Sequence, residues 1–127
     1  MALLRNVDEI RQALREPRLQ FLELWVDGTS GSSMCALLNG ARGWLMYLRQ
    51  EEDAGFSSRA PNYKGPSDAV ITYQLANGQT DEYPACWALD ASEIARALEH
   101  FVATGNPPDW IHWHNDSGDG TTLGAGA

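Results

Sequence analysis

The sequence predicts an α+β domain: an antiparallel sheet of five to six strands packed by two helices, in the order α-β-β-β-β-β-α-β. Two segments, one near each end, carry a capping signal followed by apolar residues at helical spacing. Between them lie short runs rich in β-branched and aromatic residues, separated by Gly/Asn/Asp turn signals. No internal repeat or composition shift marks a second domain, so residues 1–114 are expected to form a single unit and 115–127 a flexible, glycine-rich tail.

The first helix begins at Asn6, with Glu9 at capping-box spacing; Val7, Ile10 and Leu14 share one face and Pro17 ends the segment. Arg18 to Val26 follows as a strand of imperfect alternation, favoured by its aromatic and aliphatic content. Residues 27–33 (DGTSGSS) turn the chain, Met34 to Leu38 returns, Asn39-Gly40 supplies a tight turn, and Gly43 to Leu48 completes a three-stranded meander. Residues 49–68 contain two prolines and two glycines without periodicity, and are expected as a long loop. Ala69 to Leu75 alternates, Asn77-Gly78 turns, and Thr80 to Trp87 returns with Pro84 inside it, which argues for an edge position or a bulge. Asp90 and Glu93 open the second helix, with Leu89 and Ile94 as hydrophobic staple. Ile94, Ala97, Leu98, Phe101 and Val102 make the cleanest amphipathic stripe in the chain. Gly105 suits a left-handed cap, Pro107-Pro108 forbid continuation, and Trp110 to Trp113 forms the last strand.

Charge is distributed unevenly. Residues 1–79 hold nine acids and eight bases, whereas residues 80–127 hold eight acids against Arg96 alone, so nearly all of the net −8 belongs to the last third. Such a surface repels nucleic acid and anionic lipid, whose binding needs Lys and Arg, and instead steers a basic partner. No apolar run reaches the ~18 residues of a membrane span, and Met1-Ala2-Leu3-Leu4-Arg5 does not open a leader of signal-peptide type. A cytoplasmic protein is expected. Two cysteines, Cys35 and Cys86, each inside an apolar segment, fit free thiols better than the disulfide framework of a small secreted domain.

Residues for catalysis are few. Gly28 to Ser33 contains glycine and serine but not the G-x-S-x-G elbow, and no glycine-rich loop runs into a helix with a Lys. Glu51-Glu52-Asp53 and Asp81-Glu82 pair carboxylates without the apolar surroundings that raise a general acid's pKa. His112-x-His114-x-Asp116 has the spacing of two ligands on one strand face, but Ser117 follows and only His100 remains elsewhere. No cofactor and no enzymatic activity are expected. Five tryptophans (Trp25, Trp44, Trp87, Trp110, Trp113) are many for this length; most serve a core, and Trp110 or Trp113 beside acids could serve an interface.

The run from Ala97 to Trp113 resembles the closing motif of the first family of polymorphic-toxin immunity proteins, which accompanies nucleic-acid deaminase toxins. That motif is an amphipathic helix ending in Phe, then Thr-Gly, a basic residue and Pro, then a strand ending in Trp; Ala97, Phe101, Thr104, Gly105, Pro108 and Trp113 match it. The position before Pro108, often Arg in the family, is Pro107 here, which leaves out any contact that Arg makes. The similarity covers residues 69–113, and the matched Phe101, Gly105, Pro108 and Trp113 are structural residues.

The resemblance implies inhibition by occlusion: binding a cognate toxin domain with a basic, nucleic-acid-binding surface and blocking its active site. Charge and expected exposure nominate Glu51, Glu52 and Asp53 in the long loop, and Asp81, Glu82 and Tyr83 on the edge strand, as toxin contacts. Two alternatives stand beside it: an acidic adaptor or chaperone for a secreted effector, and a small metal-binding enzyme using His112 and His114.

Overall fold

The computed structural model describes residues 2–14, 21–28 and 31–123. Pro17, the first residues of the second strand and the centre of the 27–33 turn, read above as helix stop, strand start and turn, lie outside the described residues, as do the last four of the tail. The elements are β1 (Ala2–Leu4), α1 (Val7–Ala13), β2 (Phe21–Asp27), β3 (Ser33–Asn39), β4 (Arg42–Leu48), β5 (Phe56–Arg59), β6 (Val70–Gln74), β7 (Thr80–Pro84), a 3-10 turn (Ala85–Trp87), β8 (Leu89–Asp90), α2 (Ala91–Thr104) and β9 (His112–Asn115).

The α+β class and the two helices are as expected, with a sheet that is antiparallel apart from one pair. The main sheet runs β1-β2-β3-β4-β5-β9, with β8 also pairing β4. β1 pairs β2 in parallel through α1, so the chain opens with a βαβ unit rather than a helix. Three residues are too short for a periodic signal, so this strand is missing from the sequence reading. The β6–β7 hairpin forms a separate two-stranded sheet.

Three layers result. On one face of the main sheet, Ile10, Ile94, Ala97, Leu98 and Phe101 of the helices pack on Leu24, Val26, Met34, Ala36, Leu38 and Leu45. On the other face, Tyr73 of the hairpin packs on Cys35, Leu37 and Trp44, with Ile71, Tyr83 and Trp87 at the margin. β3 sends alternate residues to the two clusters, and this two-sided burial explains its unbroken apolar run from Met34 to Leu38. The β3–β4 hairpin closes on Asn39 and Arg42, so its turn residues are Gly40 and Ala41, one position beyond the Asn-Gly pair read from sequence; Gly40 takes the positive φ of 60°.

The largest departure is β5. The stretch 49–68 contains no structureless run of twenty residues: Phe56–Arg59 is a strand between β4 and β9. Its interior is polar, because Ser57 and Ser58 are buried. The Ser58 hydroxyl accepts from the Leu45 amide at 3.1 Å and donates to the Trp87 carbonyl at 3.0 Å. Hydrogen bonding, not apolar burial, seats this strand, and a hydropathy pattern cannot show it.

The helix signals are realised in part. Asn6 caps α1 by accepting from the Glu9 amide at 2.9 Å, while Glu9 reaches the Arg5 amide at 3.1 Å, one residue before the position a capping box requires. Asp90 is the N-cap of α2 by position, but its side chain makes no cap hydrogen bond. Gly105 ends α2 in the left-handed conformation, φ 76°, with its amide on the Phe101 carbonyl at 2.7 Å.

Ser58→Ala would leave a buried amide and a buried carbonyl without their partner. We expect a loss of about 1–3 kcal/mol in urea unfolding, whereas Ser57→Ala costs less, since the Ser57 hydroxyl accepts only from the half-buried Arg59. Equal effects would remove Ser58 from this role.

Candidate functional site

The residues matching the family motif build a clasp. Phe101 lies under Gly28, where an added Cβ would run into the Phe101 ring. Tyr47 contacts Phe101 edge-on with centroids 5.9 Å apart, and also Phe56 and Trp113. Gly105 reverses the chain, and the buried Trp113 indole donates to the Pro108 carbonyl at 3.1 Å. Phe101, Gly105, Pro108 and Trp113 thus hold β9 against α2 and face inward, Phe101 being fully buried and Trp113 nearly so.

The six acidic and aromatic candidates do not form one cluster. The 49–55 loop leaves β4 beyond Leu48, whereas Tyr83 stacks on Trp44 near the start of that strand, with centroids 4.4 Å apart. Glu51 and Glu52 are exposed, and Glu52 takes a positive φ of 65°. Asp53 is different: its side chain is only 6% exposed. It accepts from the Arg49 amide at 3.0 Å, from Arg49 Nε at 2.8 Å and from its Nη2 at 2.9 Å. Those guanidinium bonds, with the backbone amides of Arg49 and Gly55, hold its carboxyl well below the usual carboxylate range despite burial.

The same Arg49 reaches Asp119 at 2.8 Å, and Asn115 binds Asp119 and the Thr121 carbonyl. Asn115, expected at the start of a tail, closes β9, and Leu123 packs against the main core. Asn115 and Ser117 side chains bind local backbone here.

On β7, Glu82 is exposed and accepts from the Thr72 hydroxyl at 3.1 Å. Asp81 is half-buried and accepts from the Tyr83 hydroxyl at 3.4 Å. Tyr83 also lies against Trp87 and Tyr73, and burial, then the neighbouring Asp81, pushes its phenol pKa up. Pro84 ends a strand that, among the described residues, pairs with β6 alone, the edge position its presence implied.

His112 and His114 project from one face of β9 and are exposed, opposite Trp113. His114 Nδ1 meets Asp116 at 2.9 Å, and no group of three His, Cys, Asp or Glu placed to hold a metal occurs among the described residues. Trp110 precedes the strand, is 37% exposed, and lies near His100 and Arg96. Both cysteines are free thiols; burial, then the Glu23 charge, pushes the Cys35 pKa up, away from nucleophilic reactivity. A cavity of about 500 Å³, which no sequence signal announced, lies between residues 60–65 and the start of α2, with Arg42, Lys64, Asp90 and Glu93 on its wall.

Basic side chains are largely consumed within the fold. Arg11 meets Glu99 at 3.0 Å, Arg42 meets Asp90 at 3.8 Å, Arg49 meets Asp53 and Asp119, and Arg59 meets Asp116 at 4.0 Å while lying 3.8 Å from the Trp87 ring. Glu51, Glu52, Asp81 and Glu82 have no basic partner among the described residues. No helix among these residues is long and apolar enough to cross a membrane.

An α+β domain with an inward-facing aromatic clasp and an uncompensated acidic rim has the build of a protein that binds another protein. The family model described as Immunity protein Imm1 matches residues 2–115, and the chain belongs to that family. It is accordingly an immunity protein, directed against a toxin. No curated protein matches the chain.

Because the Asp53 carboxyl is held low, its pairing stabilises the fold above the ordinary carboxylate pKa, about 4, and that contribution is lost as pH falls through the depressed value. Asp53→Asn should therefore be less stable than the parent at pH 7, with the gap narrowing below about pH 4. Thermal melts from pH 7 to 2 test this; a gap that is constant with pH would show that Asp53 acts without its charge.

Proposed function

We propose that this protein binds a cognate nucleic-acid deaminase toxin in the cytoplasm of the producing cell and occludes its active site, with no turnover of its own. The family match over residues 2–115 carries the reading as far as immunity. The finer target is supported by the charge. Nucleic-acid enzymes present basic surfaces to phosphate, and the carboxylates left over after the internal ion pairs give this protein the complementary sign.

In this reading Glu51 and Glu52 at one end of β4, and Asp81 and Glu82 on β7, meet the toxin's basic groove. Asp53 serves the same surface by fixing the 49–55 loop through Arg49. Tyr83 serves it by anchoring β7 on Trp44. Complementary charge of this kind acts chiefly on the rate of association and on partner choice.

Co-expression with the toxin domain encoded beside this gene is the direct test, where that domain carries the H-x-E and P-C-x-x-C deaminase signature. Rescue of growth, a complex by size exclusion and loss of deamination at equimolar protein are expected; a complex that leaves deamination intact would show an adaptor instead. Neutralising Glu51, Glu52, Asp81 and Glu82 together should slow association about tenfold or more at low salt and flatten its salt dependence. An unchanged association rate would remove these residues from the interface.

A further inference from the structure

The bonding phase of the β6–β7 hairpin leaves one strand edge open. The Ala85 amide donates to the Ala69 carbonyl at 2.8 Å and the Leu75 amide to the Gln79 carbonyl at 2.7 Å. Bonded and non-bonded pairs alternate along an antiparallel ladder. With this register, Ile71–Tyr83 and Tyr73–Asp81 are bonded pairs, while Val70, Thr72, Gln74, Thr80, Glu82 and Pro84 turn their backbone groups outward.

The two outward edges differ. On β6, the Thr72 carbonyl accepts from Asn39 Nδ2 at 2.9 Å, which ties that edge to the β3–β4 turn. On β7, Thr80 and Glu82 are exposed, and among the described residues no strand pairs beyond them. Pro84, the next outward position, has no amide to offer, so the open segment is bounded at Thr80 and Glu82. An unpaired edge is a template for another strand, and proteins commonly cover or blunt it.

The side chains decide which strand fits. No Lys or Arg occurs from residue 69 to 87, while Asp81 and Glu82 sit on the open strand itself. A second copy pairing edge to edge would set these carboxylates against themselves, and like charges directly opposite are destabilising. We propose that an extended segment of the cognate toxin bearing Lys or Arg adds to β7 as a third strand of this sheet. The proposal rests on the immunity reading and specifies its docking mode.

Amide hydrogen exchange on the full chain, free and bound to the toxin domain, tests it. Thr80 and Glu82 amides should slow about tenfold or more in the complex, while those of Asp81 and Tyr83, already bonded to β6, change less. Glu82→Pro deletes one outward amide without removing a ladder bond and should weaken the complex about tenfold. Glu82→Gln keeps the amide and should weaken it less, by a margin that shrinks with salt. Unchanged exchange at Thr80 and Glu82 in a formed complex overturns the docking mode alone, as does Glu82→Pro binding like the parent. Protection of these amides at high protein concentration without toxin would assign the edge to a second copy. A parent protein that forms no complex overturns the immunity reading, and the docking mode with it.

Discussion

The centre of the main sheet, at β3 and β4, is buried on both faces, and much of the structure follows from that constraint. β3 and β4 lie between the helices and the β6–β7 hairpin, so Met34, Ala36 and Leu38 serve one core while Cys35 and Leu37 serve another. A strand in this position has no solvent face on which to place charge. Where backbone must approach closely, side chains shrink: Gly43 lies against Ile94 and the Leu37 carbonyl. The buried Ser58 hydroxyl is satisfied in both directions, whereas Trp44 Nε1 and Arg42 Nε are buried without a partner among the described residues. Charge is thereby kept off β3, and most carboxylates lie in the loops, on the outer helix faces and on the hairpin, Glu23 of β2 being held by the Trp25 indole and the Ala76 amide.

How much of this was legible depended on which force formed each element. Elements built on apolar periodicity or turn chemistry were readable: α2 from Ile94 to Phe101, the Gly105 cap, and the Asn77-Gly78 hairpin, where Gly78 takes a φ of 90°. Elements built on hydrogen bonds or sheer brevity were not. β5 is Phe-Ser-Ser-Arg, held by hydroxyls; β1 is three residues; and the Arg49–Asp119 bond joins positions 70 apart in sequence. The candidate site was legible as composition, since the acidic excess is plain in the sequence. Its division was not: only the fold shows that Asp53 is engaged by Arg49, while Glu51 and Glu52 have no ion pair among the described residues.

The residues of the inward-facing clasp and the unpaired carboxylates are different sets, for a physical reason. Phe101, Gly105, Pro108 and Trp113 act through an aromatic cluster, a left-handed backbone and an indole–carbonyl bond, each of which tolerates little change in shape. A docking surface, by contrast, derives specificity from the pattern of charge at the rim and can change its partner without changing the fold.

The scarcity of cations near the C-terminus has an electrostatic consequence. Residues 80–127 contain one base, Arg96, which lies 5.1 Å from the Trp110 ring on the outer side of α2. A cation stacked on an aromatic ring is held in place but still contributes its full charge at long range. The field over the C-terminal third therefore depends on how few cations oppose its eight carboxylates, not on any single acid. Each arginine of the N-terminal part that folds back onto this region, Arg11 on Glu99, Arg42 on Asp90, Arg49 on Asp119 and Arg59 on Asp116, neutralises a carboxylate at a structural joint. Asp81 and Glu82 on β7, and Glu51 and Glu52 in the 49–55 loop, take no part in those ion pairs among the described residues, so folding leaves net negative charge on these exposed elements.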